Sequence, residues 1–174
     1  QTVSSKYLFR RPWLTVRCED MLLPNGNHIP EYYILEYPDW VNTIAITKEG
    51  KFVFVRQYRP GIGRTCYELC AGVCEKEDVS PLVSAQRELW EETGYGNGNW
   101  QEYMVVSANP STHTNLTHCF LATDVELIDH QHLEATEDIS VHLFTLEEVR
   151  TLLENNEIMQ SLNAAPLWKY MASL

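Results

Sequence analysis

Four charged residues, Arg87, Glu88, Glu91 and Glu92, are spaced so that they can act together. On a helix the three carboxylates share one face, because they lie three and four residues apart. Like charges one turn apart destabilise a helix by roughly 0.2–0.5 kcal/mol, and carboxylates near its C-terminus oppose the helix dipole. A hard divalent cation such as Mg²⁺ relieves both penalties, since it takes oxygen ligands. The spacing therefore indicates a metal site, and the competing interpretation is a solvated acidic helix face.

Local signals predict the helix that this site requires. Ser80 is a favourable N-cap and Pro81 suits the first helical position. Gly94 and Gly96 predict the end of the helix. Within it, Arg87 can pair with Glu91 one turn later.

The other patterns predict a mixed α+β domain. The continuous apolar run 52–55 is typical of a strand that is buried on both faces. The pair Thr145 and Glu148 has the form of a capping box. Strands are predicted at 13–22, 30–37, 41–47, 52–58, 66–70, 103–106, 119–122 and 139–144, and further helices at about 146–155 and 158–172.

Composition limits the classes of function. The 174 residues suit one domain with a sizeable core. The net charge of −11 excludes attraction of nucleic acids or anionic membranes by the overall field. No apolar run has the roughly 18 residues of a membrane-spanning helix, and no secretory signal pattern is visible. With an odd number of cysteines, five, the sequence predicts an intracellular, cytoplasmic protein.

Two other groups of residues are weaker candidates for a metal site. Cys66, Cys70 and Cys74 are regularly spaced, but they lack the CxxC pairing of zinc sites and are more typical of reduced thiols near a buried strand. His130 and His132 could also ligate a metal. Their polar neighbours favour an ordinary polar loop.

A longer motif surrounds the charged cluster. Gly72 and residues 87–95, Arg-Glu-Leu-Trp-Glu-Glu-Thr-Gly-Tyr, resemble the Nudix box, Gly-x5-Glu-x7-Arg-Glu-U-x-Glu-Glu-x-Gly-U, where U is bulky and apolar. Its Arg, three Glu and Gly occur together by chance about once in a million starting positions. The interval before Arg87 is one residue longer than in the pattern, so either Glu77 or Asp78 takes the first acidic position.

Two further segments resemble the ADP-ribose and ADP-sugar pyrophosphatases of that family. Residues 68–72, Glu-Leu-Cys-Ala-Gly, look like their Glu-Leu-Pro-Ala-Gly, and residues 55–59, Val-Arg-Gln-Tyr-Arg, look like the preceding strand. The resemblance implies that Arg59 contacts substrate and that the carbonyl of Ala71 binds a metal. It adds Arg56 and Glu68 as substrate-binding residues.

Two loops extend the resemblance. Pro110 lies sixteen residues after Gly94, where this subfamily has a substrate-contacting proline loop, although Ser111 and Asn115 replace its usual Gly and Glu. Residues 134–139 resemble the late acidic loop, which supplies a metal ligand or the general base. Glu137 is the closer match, and an acidic surface loop is the competing interpretation.

The resemblance implies a site and a fold. Glu88, Glu91, Glu92, Glu137 and the Ala71 carbonyl would bind the metal, and the catalytic set would be Arg87, Glu91, Glu92 and Glu137. The general base is left open among Glu134, Glu137 and a box glutamate. The implied fold is the Nudix α/β/α sandwich, a mixed β-sheet between helices with an N-terminal antiparallel hairpin. One domain covers 1–174, in which residues 1–37 form N-terminal dimerisation strands and residues 38–174 form the catalytic core.

The implied activity is Mg²⁺-dependent (or Mn²⁺-dependent) hydrolysis of a nucleoside diphosphate sugar, first ADP-ribose or another ADP-sugar, to NMP and sugar phosphate. GDP-mannose, a UDP-sugar or a dinucleotide are alternatives, as are a non-catalytic ADP-ribose sensor and a plain interaction module. The complete carboxylate set favours an enzyme. We expect a homodimer with no nucleic-acid or membrane partner. The base stays open, because several aromatic side chains could stack on it, among them Trp13, Tyr32, Tyr33 and Trp40.

Overall fold

Eleven strands and three helices follow one another along the chain in a computed structural model that describes residues 1–174. The strands are β1 (Thr2–Arg11), β2 (Leu14–Leu22), β3 (His28–Glu36), β4 (Trp40–Thr47), β5 (Phe52–Arg59), β6 (Arg64–Glu68), β7 (Cys70–Val73), β8 (Tyr95–Gly96), β9 (Asn99–Val106), β10 (Thr117–Leu127) and β11 (Ser140–Phe144). The helices are α1 (Pro81–Thr93), α2 (Leu146–Glu154) and α3 (Ser161–Met171). None of these helices combines the length and the apolar character that a bilayer crossing requires.

The strands form two separate sheets. Strands β1, β2 and β3 make an antiparallel N-terminal sheet. The larger sheet has the order β11-β5-β4-β10-β8, in which β6 pairs with β5, β7 with β4 and β9 with β10. Only β4 and β10 run parallel, and the other pairs are antiparallel. The larger sheet is therefore mixed, as the resemblance implied.

Helices cover both faces of the larger sheet. Phe52 and Phe54 pack with α2 and α3 on one face, whereas Val53 packs with Leu89 of α1 on the other. This alternation explains the continuous apolar run 52–55, because both sides of β5 are buried. Full burial of a side chain such as Leu89 contributes roughly 1.5–3 kcal/mol to holding α1 on the sheet. The α/β/α sandwich is thus confirmed.

A small set of hydrogen bonds connects the N-terminal sheet to the rest of the protein. Leu35 pairs with His113 in an isolated parallel bridge, and its N–H donates to the carbonyl of Thr112 at 2.8 Å. The hydroxyl of Tyr32 donates to the carbonyl of Ser111 at 2.6 Å. The N-terminal sheet is therefore anchored on the loop between β9 and β10.

Sequence patterns missed β1, β7 and the short β8, and they placed the start of β9 and both ends of β10 too far inside those strands. Every residue of β1 is exposed. A strand that buries neither face has no reason to alternate apolar and polar residues, so it carries no periodic signal. Backbone pairing with β2 defines it instead. The N-terminal unit is therefore a three-stranded sheet that contains the predicted hairpin.

Candidate active site

The helix α1 starts and ends where its caps predict. The Ser80 hydroxyl accepts a hydrogen bond from the N–H of Val83 at 3.4 Å, and Pro81 is the first helical residue. Gly94 has φ 76°, and its N–H donates to the carbonyl of Trp90 at 2.8 Å. A positive φ strains residues that carry a Cβ, so glycine suits this C-cap. These caps fix where α1 begins and ends, and the packing of Leu89 on the sheet fixes which way its carboxylates face.

The carboxylate face of α1 lies against β7. The Oε2 atom of Glu92 accepts a hydrogen bond from the N–H of Ala71 at 3.1 Å. Gly72 leaves the space that the Glu88 carboxyl group occupies, since a Cβ at Gly72 would lie 2.0 Å from the Cδ atom of Glu88. The glycine of the box is therefore required by close packing rather than by its backbone angle.

Arg87 ties the helix to the loop that precedes it. Its Nη1 atom donates to Glu88 and to Glu91, each at 2.9 Å. Its Nη2 atom donates to the carbonyl of Val73 and to the carboxylate of Asp78, each at 3.0 Å. Burial by itself lowers the pKa of Arg87, but these carboxylates outweigh it and raise that pKa. Asp78, and not the exposed Glu77, therefore makes the acidic contact of the extended loop.

Glu92 is a buried carboxylate without a cationic partner. The residue is 5% exposed, and the pKa of its carboxyl group is raised to about 8, chiefly by burial. The charges of Glu88 and Glu137 contribute to this rise, and the hydrogen bonds from Cys70 and from the N–H of Ala71 oppose it. Burial also raises the pKa of Glu88, although Arg87 opposes that shift. Burying Glu92 therefore destabilises the fold, and a buried group with such a shifted pKa is typical of a functional site.

The donor set fits a hard divalent cation. Of the three box carboxylates, only Glu88 and Glu91 pair with a guanidinium, that of Arg87, and the oxygens of Glu88, Glu91 and Glu92 do not converge within 4.8 Å of one another. Arg87 holds Glu88 and Glu91, while Glu92 is bound to the backbone of β7. A cation with oxygen preference would supply the missing positive charge. Ala71, whose N–H meets Glu92, is positioned beside the same carboxylates.

The raised pKa of Glu92 predicts how metal-free stability depends on pH. Below its ordinary value of 4.5 the carboxyl group is protonated in both the folded and the unfolded chain. Between about pH 4.5 and pH 8 the unfolded chain releases this proton and the folded chain keeps it, so the contribution of Glu92 destabilises the fold increasingly as pH rises. Glu92→Gln should therefore gain stability relative to the wild type between about pH 5 and pH 8 in chelator, measured by denaturant unfolding. If the difference in unfolding free energy between Glu92→Gln and the wild type stays constant across this pH range, the raised pKa of Glu92 is contradicted. The control is Glu147→Gln, which changes an exposed carboxylate.

A cavity of about 550 Å³ adjoins the carboxylates, with Ala71 and Gly72 in its wall. Arg59 is its only lining cation, and it donates to both oxygens of Glu68, through Nε to Oε1 at 2.9 Å and through Nη2 to Oε2 at 2.5 Å. Glu68 is 3% exposed, whereas the Arg59 side chain is 44% exposed. Glu68 therefore orients Arg59 from below and leaves its outer edge accessible.

The cavity also contains neutral polar groups that the sequence patterns missed. Asn42 donates through Nδ2 to the carbonyl of Leu162 at 2.7 Å, but its Oδ1 atom has no partner. The hydroxyl of Thr117 is likewise buried without a partner. Trp40, already a candidate for base stacking, lines the same cavity. The available signal for Asn42 was an amide side chain within the predicted buried strand 41–47.

The remaining predicted site residues lie in different places. Glu137 accepts a hydrogen bond from the N–H of Glu134 at 2.8 Å, and its charge acts on Glu92. Arg56 is exposed, and its guanidinium carbon lies 5.7 Å from the centre of the Tyr67 ring. Pro110 lies in the exposed loop that anchors the N-terminal sheet. Neither Arg56 nor Pro110 lines the cavity.

Comparison with known families identifies the family to which this protein belongs. Residues 37–164 match the profile of the NUDIX domain, and residues 1–35 match that of the nucleoside diphosphate sugar hydrolase N-terminal domain. The chain belongs to the Nudix hydrolase family, and it is an enzyme of that family. The carboxylate face of α1 is the Nudix box in three dimensions.

Several individual proteins are similar to this chain over much of their length. The ADP-ribose pyrophosphatase of Bacillus subtilis (strain 168) is 31% identical over 165 residues, which cover 94% of this chain and 88% of that protein. The methanol dehydrogenase activator of Bacillus methanolicus is 29% identical, covering 92% and 86%. The GDP-mannose pyrophosphatase of Escherichia coli O9:H4 (strain HS) is 28% identical, covering 64% and 62%. A crystal structure of an ADP compounds hydrolase has the same fold, with TM-score 0.86 and 20% identity over 100% of this chain and 93% of that one.

Proposed function

We propose that this Nudix hydrolase cleaves the diphosphate bond of a nucleoside diphosphate sugar, with ADP-ribose or another ADP-sugar as substrate, to NMP and sugar phosphate. The observation that carries the proposal is the junction of two features at Ala71 and Gly72. On one side lies the buried Glu92 with its neighbouring carboxylates, and on the other lies the cavity with Arg59. The similarity to the Bacillus subtilis ADP-ribose pyrophosphatase supports the choice of substrate.

The cavity suits a neutral polar group attached to phosphate. Its volume lies in the range of roughly 300–1,000 Å³ that is usual for small-molecule sites. Sugar hydroxyls can both donate and accept hydrogen bonds, so they can satisfy the unpaired Oδ1 of Asn42 and hydroxyl of Thr117. The exposed edge of Arg59 offers positive charge to a phosphate oxygen. Trp40 offers an aromatic face.

The protein positions the groups that hydrolysis needs. Mg²⁺ or Mn²⁺, held by Glu88, Glu91, Glu92 and the Ala71 carbonyl, would neutralise the diphosphate and acidify a bound water. Arg87 keeps Glu88 and Glu91 oriented through its two bonds of 2.9 Å. We assign Glu137 as a further ligand or as the base that takes the proton of the attacking water, because its charge already acts on Glu92. Glu134 and a box glutamate are the other candidates for this base.

A substrate panel tests the proposal. Chelator-treated protein is supplied with Mg²⁺, or separately with Mn²⁺, and with ADP-ribose, ADP-glucose, GDP-mannose, UDP-glucose and diadenosine polyphosphates. We expect fastest turnover of an ADP-sugar, products NMP and sugar phosphate, and no turnover in chelator. Faster turnover of GDP-mannose would favour the second candidate, which the similarity to a GDP-mannose pyrophosphatase supports. Binding of ADP-ribose without turnover of any compound would replace the enzyme proposal with a sensor.

We also propose that residues 1–37 form a dimerisation unit on the catalytic core 38–174. Large apolar side chains are exposed across the N-terminal sheet, and Trp13 is 81% exposed. The other exposed examples are Val3, Tyr7, Leu8, Phe9, Leu14, Leu22 and Tyr33. Such a surface is typical of a protein interface. A cytoplasmic location remains part of the proposal.

Light scattering checks the homodimer. We expect a mass of about twice 20.1 kDa at micromolar concentration. Replacing exposed apolar side chains by Phe9→Ser with Trp13→Ser should shift the mass to that of a monomer, because burial of these side chains drives association. Leu174→Ser, which is 68% exposed at the other end of the chain, should leave the dimer intact. A monomeric wild type would rule out this assembly.

A further inference from the structure

A second group of potential metal ligands lies outside the carboxylate face. Asp129, His130 and His132 each place one ligand atom within 4.8 Å of the others. The Oδ1 atom of Asp129 lies 2.7 Å from Nδ1 of His130, and its Oδ2 atom lies 3.0 Å from Nε2 of His132. The two imidazole rings are 4.4 Å apart between centroids. The three side chains thus converge on one small volume.

The end of α1 holds this ligand group in place. The backbone N–H groups of Ile128 and Asp129 both donate to the carbonyl of Gly94, at 2.9 and 3.1 Å. The N–H of His132 donates to the carbonyl of Glu91 at 2.8 Å. Three residues of the loop are therefore fixed to one helix end, so binding a ligand requires little further ordering of the loop.

Side chains complete this support. The ring of His132 stacks on Trp90 with a centroid distance of 4.1 Å and an interplanar angle of 29°. The amide of Gln131 donates to the carbonyl of Glu92 at 2.6 Å. Stacking fixes the plane of one imidazole, while His130 remains 79% exposed and free to adjust. One ligand is therefore rigid and the other adaptable.

We propose that Asp129, His130 and His132 form a second metal site, which binds a borderline divalent ion, Zn²⁺, rather than Mg²⁺. Two imidazoles and one carboxylate suit Zn²⁺, whereas Mg²⁺ prefers oxygen ligands alone. Three protein ligands leave a fourth position for water, as in open zinc sites. The site differs in chemistry from the all-oxygen face of Glu88, Glu91 and Glu92, and it does not depend on which substrate the enzyme hydrolyses.

The position of the site links it to the enzyme's metal-binding helix. Two of its supporting bonds end on the carbonyls of Glu91 and Glu92, the last glutamates of the box. An ion bound only by the folded loop stabilises the folded protein by mass action. Zn²⁺ should therefore raise the melting temperature even when Mg²⁺ is present in excess.

Calorimetric titration of the chelator-treated full-length protein with Zn²⁺, in millimolar Mg²⁺, tests the site. We expect one Zn²⁺ per chain, and about a tenfold or greater loss of affinity in both His130→Ala and Asp129→Asn. The melting-temperature increase with Zn²⁺ should be lost in the same variants. His28→Ala is the matched control, because His28 also pairs with an aspartate, Asp20, but has no third ligand.

Paramagnetic resonance with Cu²⁺ as the probe separates this site from the carboxylate face. We expect nitrogen couplings from two imidazoles in the wild type and from one in His130→Ala, with Glu92→Gln unchanged. Absence of Zn²⁺ binding, equal affinity in His130→Ala and wild type, or a Cu²⁺ spectrum with oxygen ligands alone would each overturn the proposal. Loss of Zn²⁺ binding in His28→Ala would assign the ion to the N-terminal sheet instead. Nucleotide-sugar turnover enters none of these measurements, so the two proposals can fail separately.

Discussion

Replacing Glu92 by Gln is expected to lower turnover by about two orders of magnitude or more while the metal-free protein stays folded. The substitution preserves size and removes one negative charge from the metal-binding face. Loss of about two orders of magnitude corresponds to about 2.7 kcal/mol of transition-state stabilisation. The metal-free variant should be at least as stable as the wild type near neutral pH, because a buried carboxylate without a cation is removed.

Parallel measurement of turnover and of the metal-free melting temperature separates three roles for Glu92. A metal ligand predicts lost turnover with stability retained, a structural role predicts loss of both, and a solvated surface residue predicts little change in either. Glu147→Gln is the matched control, since its side chain is 82% exposed on α2. A stable Glu92→Gln protein with near-native turnover would refute the assignment.

Gly72→Ala should also lower turnover by about two orders of magnitude, although it adds only one methyl group. The added Cβ would lie 2.0 Å from the Cδ atom of Glu88, so that carboxyl group must move by more than 1 Å to reach ordinary contact. A displacement of about 1 Å in a catalytic group can cost about a hundredfold in rate. Stability should change little, because the colliding atoms are the end of a flexible side chain.

Gly50→Ala serves as the control for Gly72→Ala, because it strains the backbone without a steric clash. Gly50 has φ +74°, and a Cβ there would meet nothing within 4 Å. Alanine should cost about 1 kcal/mol of stability through backbone strain and leave turnover unchanged. Turnover rates and denaturant unfolding of both variants check the pair. Near-native turnover of Gly72→Ala would show that the position of Glu88 is unimportant.

The main features of α1 could be predicted from local sequence. Ser80, Pro81 and Gly94 mark its ends, and each acts through its own backbone or through a residue within one turn. Helical geometry then places Glu88, Glu91 and Glu92 on one face wherever the helix lies. The capping box at Thr145 was predictable for the same reason, and both of its hydrogen bonds are present.

Burial and long-range contacts were not predictable in this way. Nothing local separates Glu77 from Asp78, and the choice depends on which of them reaches Arg87 across the folded loop. The pKa of Glu92 depends on burial against β7, whose Ala71 lies 21 residues before Glu92 in the chain, well beyond one helical turn. Strand β1 depends on pairing with β2, because its side chains bury neither face.

The cavity shows most clearly which features local sequence determines and which depend on the tertiary structure. Arg59 and Glu68 could be identified from the segments that resemble related enzymes, but their ion pair forms only in the folded β5–β6 hairpin, where the Arg59 side chain reaches along the strands from its position opposite Arg64. Asn42 and Thr117 line the same cavity because β4 and β10 run parallel and bring distant segments side by side. Local sequence therefore determines the chemistry that α1 can present. Strand pairing, whose partners are far apart in the chain, determines which neutral polar groups face that chemistry and how strongly burial shifts its carboxylates.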